Sequence, residues 1–357
     1  MKKMIIALAA TAALLGGFAS GVQAQDKTKV CFIYVGSKTD GGWSQAHDIG
    51  RQALQEHFGD KIETPILENV PEGPDAERAI ERMARSGCGM VFTTSFGFMD
   101  ATVKVAEKFP DIKFEHATGF KSAENLATYN ARFYEGRYIQ GQIAAKMSKK
   151  GVAGYIASFP IPEVVMGINA FILGAQSVNP DFELKVVWAN TWFDPGKEAD
   201  AAKALIDQGV DILTQHTDTT APMQVAAERG ILAFGQASDM IAAGPNTQLT
   251  AIVDTWAAYY IKRVQAHLDG SWKSEQIWDG LKDGILTMAP YTNMPDDVKA
   301  MAEETEAKIK SGELHPFTGP VKKQDGTEWL AEGQKADDGT LLGMNFYVEG
   351  VDDTLPQ

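Results

Sequence analysis

Six apolar runs in the chain are each followed at once by aromatic and hydrogen-bonding side chains. Asp40, Trp43, Ser44, Gln45 and His47 follow Val30–Val35, and Ser95 and Phe96 follow Met90–Thr94. Asn190, Trp192, Phe193 and Asp194 follow Leu184–Trp188, and His216, Thr217 and Asp218 follow Ile212–Gln215. Gln236, Ser238 and Asp239 follow Leu232–Phe234, and Asp254 and Trp256 follow Thr250–Val253. Flat aromatic faces beside a few oriented polar groups suit a small, flat ligand. Any one of these turns has an ordinary alternative, such as Trp43 packed under a loop. Six together fit the wall of a concave site. Asp194 stands before Pro195, the pattern of a helix cap, and is set aside as structural.

Catalytic signatures do not accompany these residues. The chain has no G-x-S-x-G elbow, no H-E-x-x-H, no G-x-x-x-x-G-K-[ST] and no G-x-G-x-x-G after a strand. His47 and His216 lack a close His or Cys companion, so each reads as facing solvent or ligand rather than a metal. The expectation is binding without catalysis, cofactor or metal.

The elements that must position these groups alternate. Strands are expected at Val30–Val35, Ile62–Leu67, Met90–Thr94 and Lys113–Ala117, and helices at Ser44–His57, Pro74–Arg85 and Gly97–Phe109. After a long helix at Phe133–Lys149 the alternation restarts, from the Val152–Ala157 strand to the Leu232–Phe234 strand. Such alternation makes βαβ units, a parallel sheet and right-handed crossovers, with ligands at the carboxyl ends of the strands. Two successive units of this kind give two lobes. The stretch from His315 to Gln357 reads as hairpins and loops around Asp325-Gly326 and Asp338-Gly339, with no lobe assigned. Cys31 and Cys88 sit in strands that are neighbours in a 2-1-3 order, so a bridge and two buried thiols are both open.

The first 24 residues read as an export signal. Lys2-Lys3 precede an apolar run from Met4 to Leu15, and Val22-Gln23-Ala24 offers small residues for cleavage after Ala24. The run is shorter than the ~20 residues that span a bilayer. The expected location is the periplasm. The formal charge is −14 and grows two units more negative once Lys2 and Lys3 are removed. That argues against nucleic acid and anionic membrane surfaces as partners.

Several segments together carry a resemblance. These are Asp40-Gly-Gly-Trp-Ser-Gln, Tyr129-Asn-Ala-Arg132-Phe-Tyr-Glu135-Gly136, Gly151-Val-Ala-Gly-Tyr-Ile, Asn190-Thr-Trp-Phe-Asp-Pro-Gly-Lys197-Glu, Asp207-Gln-Gly-Val-Asp211 and Gly235-Gln-Ala-Ser-Asp239. With the export signal, they resemble the basic membrane protein (BMP) family of ABC-importer substrate-binding proteins, which includes purine nucleoside receptors. The resemblance runs to about residue 310. It implies an α/β type I periplasmic binding protein, with two Rossmann-like lobes, a hinge of three crossings and an interlobe ligand cleft. It also implies importer membrane subunits as partners and a monomer as the default state.

The lobes implied are 25–130 with 250–285, and 131–249 with 286–315, leaving 316–357 as a tail. The hinge crossings are expected near Tyr129–Phe133, Thr247–Ala251 and Gly280–Pro290. The family's purine sandwich falls on Trp43 and Trp192. The expected binding set is these two with Ser44, Gln45, Phe96, Gln215, Asp218, Gln236, Asp239 and Trp256. A ribose-contacting Lys expected near Val253-Asp254 is missing, which favours a bare purine or another flat heterocycle over a nucleoside. A sugar or other small polar ligand on the same fold, and an exported nucleoside-processing enzyme, are the alternatives.

Overall fold

The computed structural model describes residues 27–356. The expected export signal lies outside the described residues. The first half is built from β1 (Thr28–Tyr34), α1 (Trp43–Phe58), β2 (Ile62–Glu63), β3 (Ile66–Leu67), α2 (Pro74–Arg85), β4 (Cys88–Thr94), α3 (Met99–Lys108), β5 (Lys113–Ala117) and β6 (Leu126–Ala131). The second begins with α4 (Phe133–Met147), β7 (Val152–Ala157), α5 (Pro162–Gln176), β8 (Glu183–Trp188), α6 (Pro195–Asp207) and β9 (Ile212–Gln215). It continues with α7 (Ala221–Arg229), β10 (Leu232–Gly235), β11 (Gln248–Asp254), α8 (Ala257–Leu268), β12 (Gln276–Asp279), β13 (Leu286–Met288) and α9 (Asp296–Ser311). The chain closes with β14 (Val321–Lys322), β15 (Glu328–Leu330), α10 (Asp338–Leu342) and β16 (Val351–Asp352).

These strands form two large sheets, one per lobe. The first has the order β12-β6-β5-β4-β1-β2 with β3 also on β1, and the second β13-β11-β10-β9-β7-β8-β16. The central pairings are parallel. Central strands such as β1 and β6 are buried along nearly their whole length, because helices cover both faces of each sheet. Residues 62–67, read as one strand, form two short ones. Pro65 has no N–H for a ladder, and its carbonyl instead accepts from Phe32 N at 3.0 Å.

Lobe boundaries differ from expectation at one place. β11 was expected to open the first lobe's return segment, but it pairs with β10 and β13 in the second sheet. The chain passes to the first lobe only after Asp254, where α8 packs on α1. The second crossing therefore lies between Asp254 and Ala257 rather than near Thr247–Ala251. The other crossings fall between β6 and α4 and between β12 and β13.

The stretch from His315 onward adds to the core rather than only decorating the surface. Phe317, Val321, Leu330, Leu341, Met344, Tyr347, Val348 and Val351 are buried. β16 adds a parallel edge strand to β8. Asn169 of α5 holds the incoming backbone, donating to Phe346 O at 2.8 Å and accepting from Val348 N at 3.0 Å. Asp325-Gly326 does turn the β14–β15 hairpin. Asp338-Gly339 does not make a hairpin: the Asp337 carboxylate accepts from Thr340 N at 2.9 Å and starts α10 instead. Cys31 and Cys88 are disulfide-bonded across the β1–β4 pair, with Cα atoms 6.0 Å apart.

Candidate functional site

The first lobe contributes one wall through the turn after β1. Asp40 is buried and its carboxylate accepts from Gly42 N, Ser44 N and Gln45 N at 2.8–3.0 Å, so it caps the free amides of α1. That cap fixes Trp43, the first helical residue. The Trp43 indole N–H donates to Thr94 O at 2.7 Å, which commits its polar atom, and the residue lines the cavity. Behind it, His47 meets the ring edge-on at 4.4 Å, and Trp256 does so at 5.6 Å. Ser95, Phe96 and Thr118 extend this wall. Thr118 has φ 63°, a left-handed conformation costly for a β-branched residue.

The second lobe contributes the turns after β7, β8, β9 and β10. Asp194 caps α6, accepting from Gly196 N and Lys197 N at 3.1 Å, as the Asp-Pro pattern foretold. Two residues earlier, the Trp192 carbonyl accepts from Asp218 N at 2.9 Å, and its ring packs on Phe159. Glu198 pins the β9–α7 loop by accepting from Thr219 N and the Thr219 hydroxyl at 3.0 and 2.6 Å. Gln215 braces the same loop by donating to Thr217 O and Thr219 O at 2.8 Å. His216, Asp218 and Gln236 are thereby presented to the cleft beside Glu163 of α5.

Between the walls lies a cavity lined by residues of both lobes. The lobes touch across it. The Ser238 hydroxyl donates to Gly41 O, and the Asp218 carboxyl faces the backbone amide of Trp43. Gly41 and Gly42 allow this approach. Gly41 has φ 94°, and a Cβ on Gly42 would lie 2.5 Å from Asp218 O.

The electrostatics are those of a closed, acidic chamber. Burial pushes the Asp218 carboxyl well above its ordinary value, and Asp40, Glu198 and Asp254 push it further the same way. Burial and then Glu163 raise Asp254, against the pull of Arg137. Burial lowers His216. Among the described residues, no group of three His, Cys, Asp or Glu could hold a metal ion.

Of the ten residues expected at the site, Trp43, Phe96, Trp192, Asp218 and Gln236 line this one cavity. The other five do not. Ser44 is buried and its hydroxyl accepts from Gly36 N at 3.1 Å, closing the turn. Gln45 is half-buried on α1, away from the lining. Gln215 spends its amide on the loop backbone. Asp239 is exposed and accepts from Ile241 N and the Gln248 amide at 3.1 and 2.7 Å. Trp256 is buried and stacks on His47 at 4.6 Å, so it backs Trp43 rather than facing the cavity.

His47 was expected to face solvent or ligand, but it is buried, bonded to the Tyr260 hydroxyl. Glu163, Val35 and Thr118 were missed. Glu163 stands six residues beyond β7, past two prolines, so strand-end reading stopped short of it. Its signal was the acidic residue just after Pro162 at a helix start.

Comparison with known proteins agrees with this architecture. Over 344 residues the chain is 70% identical to a purine-binding protein of Brucella abortus, covering 96% of this chain and 97% of that one. It is 36% identical to a putative ABC transporter glucose-binding protein of Haloferax volcanii, covering 93% and 82%. An ABC transporter solute-binding protein from Aeropyrum pernix superposes with a TM-score of 0.71 at 18% identity, covering 88% and 95%. Such a likeness shows the fold alone: the two-lobed type I periplasmic binding protein. Residues 27–319 match the family described as ABC transporter substrate-binding protein PnrA-like. The chain belongs to this Bmp family of ABC transporter substrate-binding proteins.

Proposed function

We propose that this chain is the exported receptor of an ABC importer, and that it carries a purine base between Trp43 and Trp192. One observation carries the reading: two tryptophans, one from each lobe, line a single cavity where the lobes touch. Stacking on both faces then requires closure, and closure is the state an importer distinguishes from the empty receptor. Each aromatic contact adds about 0.5–1.5 kcal/mol beyond area burial. The missing Lys near Val253-Asp254 supports a base over a nucleoside. The purine-binding relative, similar over nearly the whole chain, points to the same ligand class. The export signal read at residues 1–24 supports the periplasm as its place of work, and the family supports membrane subunits as its partners.

Thermal unfolding against purine bases, nucleosides and glucose tests this, after co-purified ligand is stripped by unfolding and refolding. A base held at 100 times its dissociation constant adds about 2.7 kcal/mol. The shift is expected with a purine base and not with Trp192→Ala. A shift with glucose and none with purines would overturn the reading in favour of the specificity named for the Haloferax relative.

A further inference from the structure

A cluster of unsatisfied polar atoms lies on the second lobe, at the cavity wall and behind it. Ser158 Oγ, Glu163 Oε2, Trp192 Nε1, Thr217 Oγ1 and both Asp254 carboxyl oxygens are buried with no hydrogen-bond partner among the described residues. All follow the carboxyl ends of second-sheet strands: β7, β8, β9 and β11. Buried polar atoms in folded proteins are nearly always paired, so a cluster left open at one sheet edge marks where another molecule supplies the partners.

Within this cluster, Glu163 is the acidic residue that also lines the cavity. Its side chain is 11% exposed, and Oε1 lies 3.5 Å from His216 Nε2, leaving Oε2 open. The nearby cation does not answer it. Arg137 is buried and its terminal nitrogens donate to Gln140, Thr214, Gln215 O and Gln236. Among the described residues, no lysine or arginine lines the cavity, whereas Glu163 and Asp218 do. A ligand bringing negative charge would meet these carboxyl groups in a space that excludes water. A ligand bringing N–H groups would satisfy Oε2.

We propose that Glu163 is the specificity-determining residue of this site. Its Oε2 accepts a ring or exocyclic N–H, so the cavity takes a neutral, donor-bearing purine and rejects a purine anion. This rests on the purine reading above.

The test is isothermal titration with adenine, guanine, xanthine and urate at mildly alkaline pH, where the last two carry negative charge. The purified protein is compared with Glu163→Gln and Glu163→Asp, whose ligand-free melting is followed in parallel. Adenine or guanine is expected to bind at least tenfold tighter than xanthine or urate. Glu163→Gln, which keeps an acceptor but loses its charge, is expected to weaken adenine or guanine by about 10- to 100-fold and narrow the gap. Glu163→Asp draws the carboxylate back and is expected to lose base affinity while still rejecting urate. If both variants melt normally and bind adenine and guanine as the wild type does, the assignment of Glu163 is overturned and the purine reading stands. If urate or xanthine binds the wild type as tightly as adenine, the proposal also falls. If no purine binds and glucose does, both readings fall together.

Discussion

Replacing Gly42 by alanine should damage ligand binding while sparing the fold. The Cβ it adds would sit 2.5 Å from Asp218 O, 3.0 Å from Asp218 Cα and 3.1 Å from Asp218 C. All three atoms are backbone of the other lobe, so no side chain can swing aside. Ordinary carbon contacts begin near 3.5 Å, so the two loops must part by about 1 Å. Overpacking of this size costs roughly 1–3 kcal/mol. Here the cost falls on the closed state alone, because nothing in Gly42's own lobe stands as near. The apparent affinity for ligand should therefore fall about 5- to 150-fold, with ligand-free melting almost unchanged. Calorimetry gives the affinity, and small-angle scattering with and without ligand gives the compaction. Gly36→Ala is the control: its Cβ would meet Ser44 Oγ at 2.9 Å within the same lobe, so it should lower stability more than affinity. Wild-type affinity and full compaction in Gly42→Ala would refute the idea that this approach gates closure.

Two further outcomes follow from groups outside the cavity. Replacing Cys31 and Cys88 together by serine opens a loop of 57 residues, which loop-closure entropy values at about 4 kcal/mol. Urea unfolding should show that loss with ligand affinity retained, and an unchanged midpoint would contradict it. Glu135, at the first hinge crossing, accepts from Leu281 N at 2.8 Å in the third, and burial raises its carboxyl from 4.5 to about 7. A raised carboxyl favours the folded state below the unfolded value and loses that advantage as pH rises through the folded one. The wild type should thus lose stability relative to Glu135→Gln between pH 4.5 and 7, by on the order of 1–3 kcal/mol, and parallel pH profiles would disprove the shift.

The fold was legible because its signals are periodic and local. Alternating strands and helices, Asp194 before Pro195 and the glycine turn at Asp325-Gly326 each dictate structure within a few residues. The second crossing was misplaced because β11 carries no mark of which sheet it joins. That choice is made by pairing with β10 and β13, far along the chain. The tail was misread for the same reason: its apolar residues are spaced irregularly, and only contact with α5 and β8 makes them core. At the site, strand ends located the aromatic wall, yet they could not say which polar atoms are already spent. Gln215, Asp239 and Ser44 have the right chemistry and the right position along the chain. Their donors and acceptors engage neighbouring backbone and, for Asp239, the Gln248 amide, a fact that only three-dimensional distances reveal. Glu163 is the converse case, unremarkable in sequence and conspicuous once its oxygen is found unpaired.

The arrangement also explains how occupancy can be turned into shape. The cavity-lining side chains with open polar atoms, Glu163 and Trp192, belong to the second lobe, and the first lobe's foremost contribution is the aromatic ring of Trp43. A ligand can therefore satisfy its hydrogen bonds on the second lobe before the first arrives. Trp43 follows directly on Gly41 and Gly42, where the lobes come closest. On the proposed reading, stacking on the ligand and contact between the lobes are made by one segment, held by the Asp40 cap on α1. Neither can form fully without the other. A ligand that offers Trp43 a flat face thus favours the closed state over the open one, which is the differential affinity any population shift requires. A ligand too small to reach Trp43 should bind the second lobe weakly and leave the lobes apart.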